Sequence, residues 1–381
     1  MRWTLPVADL QLSEEDVDAY LKVLESGWLT MGPRTRAFEE AFAERVGVRH
    51  AVAVSSCTAA LHLTLRAAGI GEGDEVLVPA MTFVAGPGTV RHCGARPVFV
   101  EAVGPEDLNL DPDDAASLVG PRTRAILATH WLGYACDLAA LERLCVEHGL
   151  ILIEDCAQGI AARDATGRLA GTVGAAGCFS FFSKKQLAIG EGGMIITDDD
   201  AIAAKAASLR SHAMTSMTWD RHRGHAETYD VVDVGFNFRI DEPRAALGLS
   251  RLGRLDADIA NRRKLVYRYR EQLLDVSGVT IPWCDEDVER SSHFGFAILV
   301  DDQATRGRLI RELGAFGIQT THYPSLTALT AYRDHPPRPR TEELAGRHLL
   351  LPLASNYTER EVDLVATEVK RIMATSAAHA G

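Results

Sequence analysis

From about residue 33 to residue 200 the chain alternates amphipathic segments with short apolar ones, and this alternation limits the fold more than any other feature. TRAFEEAFAERVG, CTAALHLTLRAAG and DLAALERLCVEHG carry apolar residues at three- and four-residue spacing, the period of a helix with one buried face. TFVAGPGTVRHCG reads as a glycine-interrupted helix. Between them AVAVSS, DEVLVPA, RPVFVEA, TRAILATH and LILIEDCA have apolar centres, as strands buried on both faces do. Repeated βα units imply an α/β fold whose central sheet is mostly parallel and sandwiched by helices. The pattern changes after Asp200. IAAKAASLRSH is helical, MTSMTWDRHRGHAETYDV is a polar loop rich in histidine and aromatics, and EPRAALGLSRLGRLDADIANRRKLVYRYREQLLD is one long helix or two. HFGFAILV reads as a strand, QATRGRLIRELGAFG and EREVDLVATEVKRI as helices, and PPRPR at 336–340 as a loop. A large domain with an N-terminal arm is therefore expected over 1–250, and a smaller C-terminal α+β domain over 251–381.

Composition removes several functions. A formal charge of −12 with no lysine/arginine block argues against nucleic acid. No run approaches 18 apolar residues, and the first residues lack a signal pattern, so no membrane role is expected. The seven cysteines are scattered, odd in number and without a CxxC, which fits reduced thiols and a cytoplasmic setting. No GxGxxG follows the first strand, so a dinucleotide fingerprint is missing.

Three short stretches carry chemistry. AVAVSS runs into Ser56, Cys57 and Thr58 and then a helix; the free amides and partial positive charge of a helix start suit a phosphate, although a plain N-cap reads the same way. LILIEDCAQ sets Glu154 and Asp155 at the carboxyl end of a buried strand, where ligands of open α/β sheets bind. A carboxylate there needs a cation or a donor: a protonated pyridine nitrogen, a metal or a helix start. FSFFSKKQLAIGEGG holds Lys184 and Lys185. If FSFF is a strand and the pair extends it, the two point to opposite faces, one toward the crevice. A buried lysine loses proton affinity and becomes a nucleophile able to form a Schiff base. GEGG reads as a turn where the chain passes close to a ligand. A phosphate cradle, a strand-end carboxylate and such a lysine are together what pyridoxal 5'-phosphate (PLP) requires.

On these residues the chain resembles the DegT/StrS family of sugar aminotransferases, within the fold-type I PLP-dependent enzymes. The resemblance runs from SGWLTMGPRTRAFEEAFA to LPLASNYTEREVDLV, through VSSCTAALHL, VPAMTFVA, HWLGYACDL, EDCAQ, SFFSKKQLAIGEGGM and GFNFRIDEPRAALGLSRL. The family pattern Ser-Phe-x-x-x-Lys implies that Lys185 is the Schiff-base lysine and Lys184 a neighbour. It implies that Thr58, Ala59 and Ser180 hold the phosphate, that Phe83 stacks on the pyridine face, that Asp155 pairs with the ring nitrogen and that Gln158 contacts the ring hydroxyl. Asn237 is implied to reach the phosphate of a neighbouring subunit, hence a homodimer. The implied reaction cycles PLP and its pyridoxamine form (PMP) between an amino donor, glutamate, and a keto sugar carried on a nucleotide. A keto-cyclitol aminotransferase, a PLP-dependent sugar dehydratase and a non-catalytic regulatory relative are the alternatives. Lys185 argues against the dehydratase, some of whose kind carry histidine there.

Two regions depart from the pattern or stand out. THYPSLTALTAY lacks a histidine soon after Pro324, which puts substrate identity in doubt rather than catalysis. His212, His222 and His225 lack the cysteine or carboxylate pattern of a metal site. Trp219, Arg221 and Arg223 instead suit an anionic or planar substrate group, and Arg239 a phosphate or an interface ion pair. Cys57 and Cys156 have no basic partner visible in the sequence and read as packing residues.

Overall fold

The computed structural model describes residues 3–216, 219, 222–224 and 227–377. The five apolar runs form β1 (His50–Val54), β2 (Glu75–Pro79), β3 (Arg96–Val100), β4 (Thr123–Thr129) and β5 (Ile151–Cys156). Two further strands, β6 (Ala176–Ser180) and β7 (Gly193–Thr197), complete a seven-stranded sheet of order β1-β7-β6-β5-β4-β2-β3. Strands β3, β2, β4, β5 and β6 run parallel, while β7 is antiparallel to both its neighbours.

Strand alternation sends neighbouring residues to opposite faces, and each face has its own core. Ile153, Cys178 and Ile195 pack with Leu61 and Leu65 of the helix Cys57–Ala67. Ile196, Met194 and Phe179 pack with Phe38 and Phe42 of the helix Pro33–Val46. Leu152 and Ile126 pack under Leu141 and Leu144 of the helix Leu138–His148. Glu242, 2% exposed, fixes the start of the helix Pro33–Val46 by accepting from the amides of Gly32, Arg34 and Thr35 at 2.7–2.8 Å.

A second sheet, β8 (Val279–Thr280), β9 (Phe296–Val300) and β10 (His348–Leu351), is antiparallel with β9 central. The helices Leu255–Leu273, Gln303–Ala315 and Glu359–Ala377 accompany it. Its core takes in Trp131, Leu132 and Tyr134 from just beyond β4, so the two halves share apolar contacts beside the edge where β4 and β5 end.

Two sequence expectations are corrected, and the choice between one long helix and two is resolved. The strand in FSFF stops at Ser180, and Lys184 and Lys185 lie in a turn closed by the Lys185 amide on the Phe182 carbonyl at 2.8 Å. Their divergence, Lys184 exposed and Lys185 half-buried, comes from the turn and not from strand alternation. The long helical stretch is two helices, Glu242–Leu252 and Leu255–Leu273. The 336–340 loop is shorter than expected, because a helix starts at Pro339, a residue suited to a first turn.

Candidate active site

The carboxyl ends of β1, β2, β4, β5 and β6 meet the amino end of β7 along one sheet edge. Val54 lies opposite Gly193, and Gly193 opposite Ser180. Beyond β1, Ser56 caps the helix Cys57–Ala67, its Oγ accepting from the Ala59 amide at 3.1 Å. Thr58 is exposed in the first turn, and Ala59 is buried behind it. A Cβ on Gly193 would stand 2.5 Å from the Ser56 carbonyl carbon, so only glycine lets β7 lie against this helix start. The close approach inferred for GEGG is therefore to backbone. Phe83, 58% exposed, stands just before the helix Ala85–His92, which follows β2. It is not a core residue.

Glu154 and Asp155 are both buried, and they differ in everything else. Glu154 accepts from the amides of Gly171, Val173 and Gly174 at 2.7–2.8 Å and lies 2.9 Å from His130 Nε2. The Cys136 amide donates to His130 Nδ1, so Nε2 carries the proton that Glu154 receives. Burial pushes the Glu154 carboxyl up, but His130 and these amides more than offset it and hold the group below the usual carboxylate range. Asp155 receives one amide, Ala157, at 2.9 Å, and longer contacts from the Thr129 hydroxyl at 3.4 Å and the Cys57 thiol at 3.9 Å. Burial wins there, and the Asp155 carboxyl is raised. An anion so sparsely supplied has room for a positively charged donor.

Lys185 is the nearby cation. Burial lowers its ammonium to about 8, with Cys57 and Asp155 pulling in the opposite direction. Its Nζ lies 4.2 Å from the ring centroid of Phe294. Beside it, Gln186 Nε2 donates to the Gln158 carbonyl at 2.9 Å and to Ser292 Oγ at 3.0 Å. Gln158 Oε1 accepts from the Leu132 amide at 2.8 Å. Ser180 is half-buried at the end of β6, its Oγ accepting from the Phe182 amide at 3.4 Å.

Thr58, Ala59, Ser180, Asp155, Gln158, Lys185 and Phe83 thus follow strand ends on one edge or the turn that continues it. Asn237 is different. It is exposed, in a segment bridged to Ser211, and its neighbour Phe238 accepts from the Ser55 amide at 2.8 Å. Arg239 has a buried Nη1 with no partner among the described residues. Sequence reasoning missed Gln186 and the segment Ser291–Phe294. The SSHF run carries no local signal, because its role depends on tertiary approach.

Among the described residues, the one group with metal-ligand spacing is His130, Glu154 and Cys156, and both ring nitrogens of His130 are already engaged. His222 packs on Trp28 with ring centroids 4.6 Å apart, and Trp219 does so at 4.7 Å. Arg223 lies over Trp219, while Arg221 and His225 fall outside the described residues. Cys57 and Cys156 are buried, and burial pushes both thiols well up, away from nucleophilic use.

An open α/β sheet with a helix start, a donor-poor carboxylate and a weakened lysine on its carboxyl edge defines the fold-type I class of PLP-dependent transferases. The chain belongs to the DegT/DnrJ/EryC1/StrS aminotransferase family, whose sequence model matches residues 10–370. It is 35% identical over 381 residues to the spore coat polysaccharide biosynthesis protein SpsC of Bacillus subtilis strain 168, covering 97% of each chain. It is also 35% identical over 366 residues to a dTDP-4-dehydro-2,3,6-trideoxy-D-glucose 4-aminotransferase of Saccharopolyspora spinosa, covering 94% of each. The crystal structure of the aminotransferase TlmJ from Streptoalloteichus hindustanus matches with a TM-score of 0.90 at 34% identity, over 97% of this chain and 99% of that one.

Proposed function

We propose that this aminotransferase uses PLP to move an amino group from L-glutamate to a keto sugar, the sugar being carried on a nucleotide. The observation that carries the reading is Lys185, a half-buried lysine of lowered basicity beside Asp155 and across the sheet edge from a capped helix start.

The residues present fit the cofactor. Thr58, Ala59 and Ser180 would hold its phosphate, with the Ala59 amide exchanging Ser56 Oγ for a phosphate oxygen. The exposed face of Phe83 would stack on the ring, Gln158 would meet the ring hydroxyl, and Asp155 would keep the ring nitrogen protonated. Bound PLP supplies the electron sink for the substrate carbanion. Lys185 would hold the cofactor aldehyde in the resting enzyme. When free, an amine titrating near 8 takes the proton from the donor's α-carbon and returns it at the other end of the transfer. The buried Asp155 needs its positive partner, which favours the charged ring over the neutral one.

The homodimer is part of this reading, with Asn237 contributed to the partner's phosphate site. Its supports are the exposure of Asn237, the unpartnered Arg239 Nη1 and the exposed apolar run Val231, Val232 and Val234 nearby. A domain boundary near 250 and a cytoplasmic setting belong here too. The latter is supported by seven free cysteines, six of them buried, and by the lack, among the described residues, of a helix long and apolar enough to cross a membrane.

The test is the visible absorption of the purified protein, before and after glutamate, for wild type, Lys185→Ala and Lys184→Ala. Wild type and Lys184→Ala should show the yellow lysine-bound cofactor, bleached by glutamate, and Lys185→Ala should not. Loss in Lys184→Ala instead moves the assignment by one residue, and no cofactor in wild type defeats the catalytic reading. Turnover with a nucleotide-linked keto sugar but not with a keto-cyclitol separates the substrate classes.

A further inference from the structure

The segment Ser291–Phe294 comes from more than a hundred residues beyond Lys185, yet it is fastened to the site at many points. Ser291 Oγ and the Ser292 amide both donate to the Gly133 carbonyl, at 2.9 and 3.0 Å. The Phe294 amide donates to the Leu132 carbonyl at 2.9 Å, and Ser292 Oγ to the Gln158 carbonyl at 3.0 Å. Arg262 Nη1 holds the His293 and Phe294 carbonyls from behind at 3.2 and 3.4 Å. His293 has φ 54°, a left-handed backbone uncommon for a residue with a side chain. Gly133 has φ 94°, and a Cβ there would stand 2.7 Å from Ser292 Oγ. Strained backbone and close approach together hold the Phe294 backbone in place, and its ring lies 4.2 Å from Lys185 Nζ.

We propose that Phe294 is the resting face of the Lys185 amine: a positioning residue whose ring receives the ammonium whenever that nitrogen is bonded neither to cofactor nor to substrate. The proposal rests on Lys185 being the catalytic lysine. The negative face of an aromatic ring attracts a cation most strongly where water is scarce. Lys185 is faced by two titratable groups, Asp155 from β5 and Cys57 from the helix Cys57–Ala67. The Ser291–Phe294 side adds no charge there: His293 is buried and turned toward Tyr134, with burial lowering its imidazole to about 3. Burial lowers the ammonium's proton affinity, and Cys57 and Asp155 pull it back up. The ring and Asp155 retain the proton without forming a tight ion pair with the amine, so it can be given up again. The ring also covers the nitrogen with carbon and limits water at the proton being moved.

The experiment follows cofactor capture by the PLP-free full-length protein as a function of pH, monitored by visible absorption. Only the neutral amine bonds the aldehyde, so the midpoint of the capture rate reports the lysine's proton affinity. Phe294→Leu keeps an apolar side chain and removes the π face; its midpoint should fall by about half to one pH unit relative to wild type. Phe294→Tyr should keep the wild-type midpoint. Pentafluorophenylalanine at position 294 keeps the ring shape and reverses its charge distribution, so its midpoint should fall at least as far as that of Phe294→Leu, and this arm stands even if the leucine variant does not fold. An unchanged midpoint in the pentafluorophenylalanine protein overturns the proposal, as does an equal fall in the leucine and tyrosine variants. The underlying reading fails separately, when Lys185→Ala captures PLP as wild type does.

Discussion

The two sides of β5 carry adjacent carboxylates in equally dry surroundings and put them to opposite uses. On the Glu154 side, three amides and His130 saturate the group, and the strand is tied to the 171–174 loop. On the Asp155 side, one amide and two long contacts leave most of the carboxylate's capacity open. Burial costs both groups solvation, and the difference lies in what replaces the water. A filled donor set makes a carboxylate part of the framework; a sparse one makes it a site. The same contrast separates Lys184, exposed and solvated, from Lys185, half-buried with a ring and an acid for company.

The hardest test of this contrast is at the lysines. Lys185→Ala should lower turnover by at least about a thousandfold, and Lys184→Ala should stay within about twofold, measured as kcat with saturating donor and acceptor. Next come the carboxylates. Asp155→Asn should cut kcat/KM by about a hundredfold or more while leaving the melting temperature unchanged or higher. Glu154→Gln should do the reverse, losing about 2–4 kcal/mol in denaturant titration because an amide nitrogen meets backbone donors. If both variants lose activity and stability together, the two sides of β5 are not distinct.

A third test uses pH. The folded value of Lys185 is lowered to about 8, below that of an unfolded lysine. Below pH 8 the folded protein carries the full cost of a buried ammonium. Between 8 and the ordinary lysine range the unfolded chain binds more protons, so that cost is recovered as pH rises. PLP-free Lys185→Met should therefore be more stable than wild type at pH 7, the gap closing as pH climbs through 8 toward about 10. Thermal melts at several pH values check this, and a gap constant with pH would place Lys185 in water. The smallest effect is expected at Phe83: Phe83→Leu should weaken PLP retention about two- to tenfold, read by equilibrium dialysis, since one stacked ring contributes roughly 0.5–1.5 kcal/mol.

Much of this was legible in sequence. Five apolar runs between helical periods marked β1 to β5, and a strand followed by Ser-Cys-Thr marked the helix start. The rest depended on contacts that periodicity does not record. GMIIT is as long as β1 but runs straight on from the glycine turn, and nothing local says that it inserts antiparallel between β1 and β6. EDCAQ promised one carboxylate with a partner, but the donors that silence Glu154 are amides 17–20 residues downstream. GEGG suggested ligand contact, whereas the demand on Gly193 comes from Ser56. Phe294 was invisible because its approach to Lys185 is set by the left-handed backbones of Gly133 and His293, both far from the lysine in sequence.

The pairing of β1 with β7 has a consequence for the ribosome. Val54 and Gly193 are in register, yet about 140 residues separate them, which at about 5–20 residues per second is roughly 7–30 s of synthesis. During that interval β1 lacks its one lateral partner, since it lies at the sheet's end and only β7 pairs with it. The nascent chain must therefore carry an unpaired apolar strand, and the unfinished cradle behind it, through most of the making of its larger half. Among the paired strands β1 waits longest for its partner, and a chaperone that shields His50–Val54 would act during that wait.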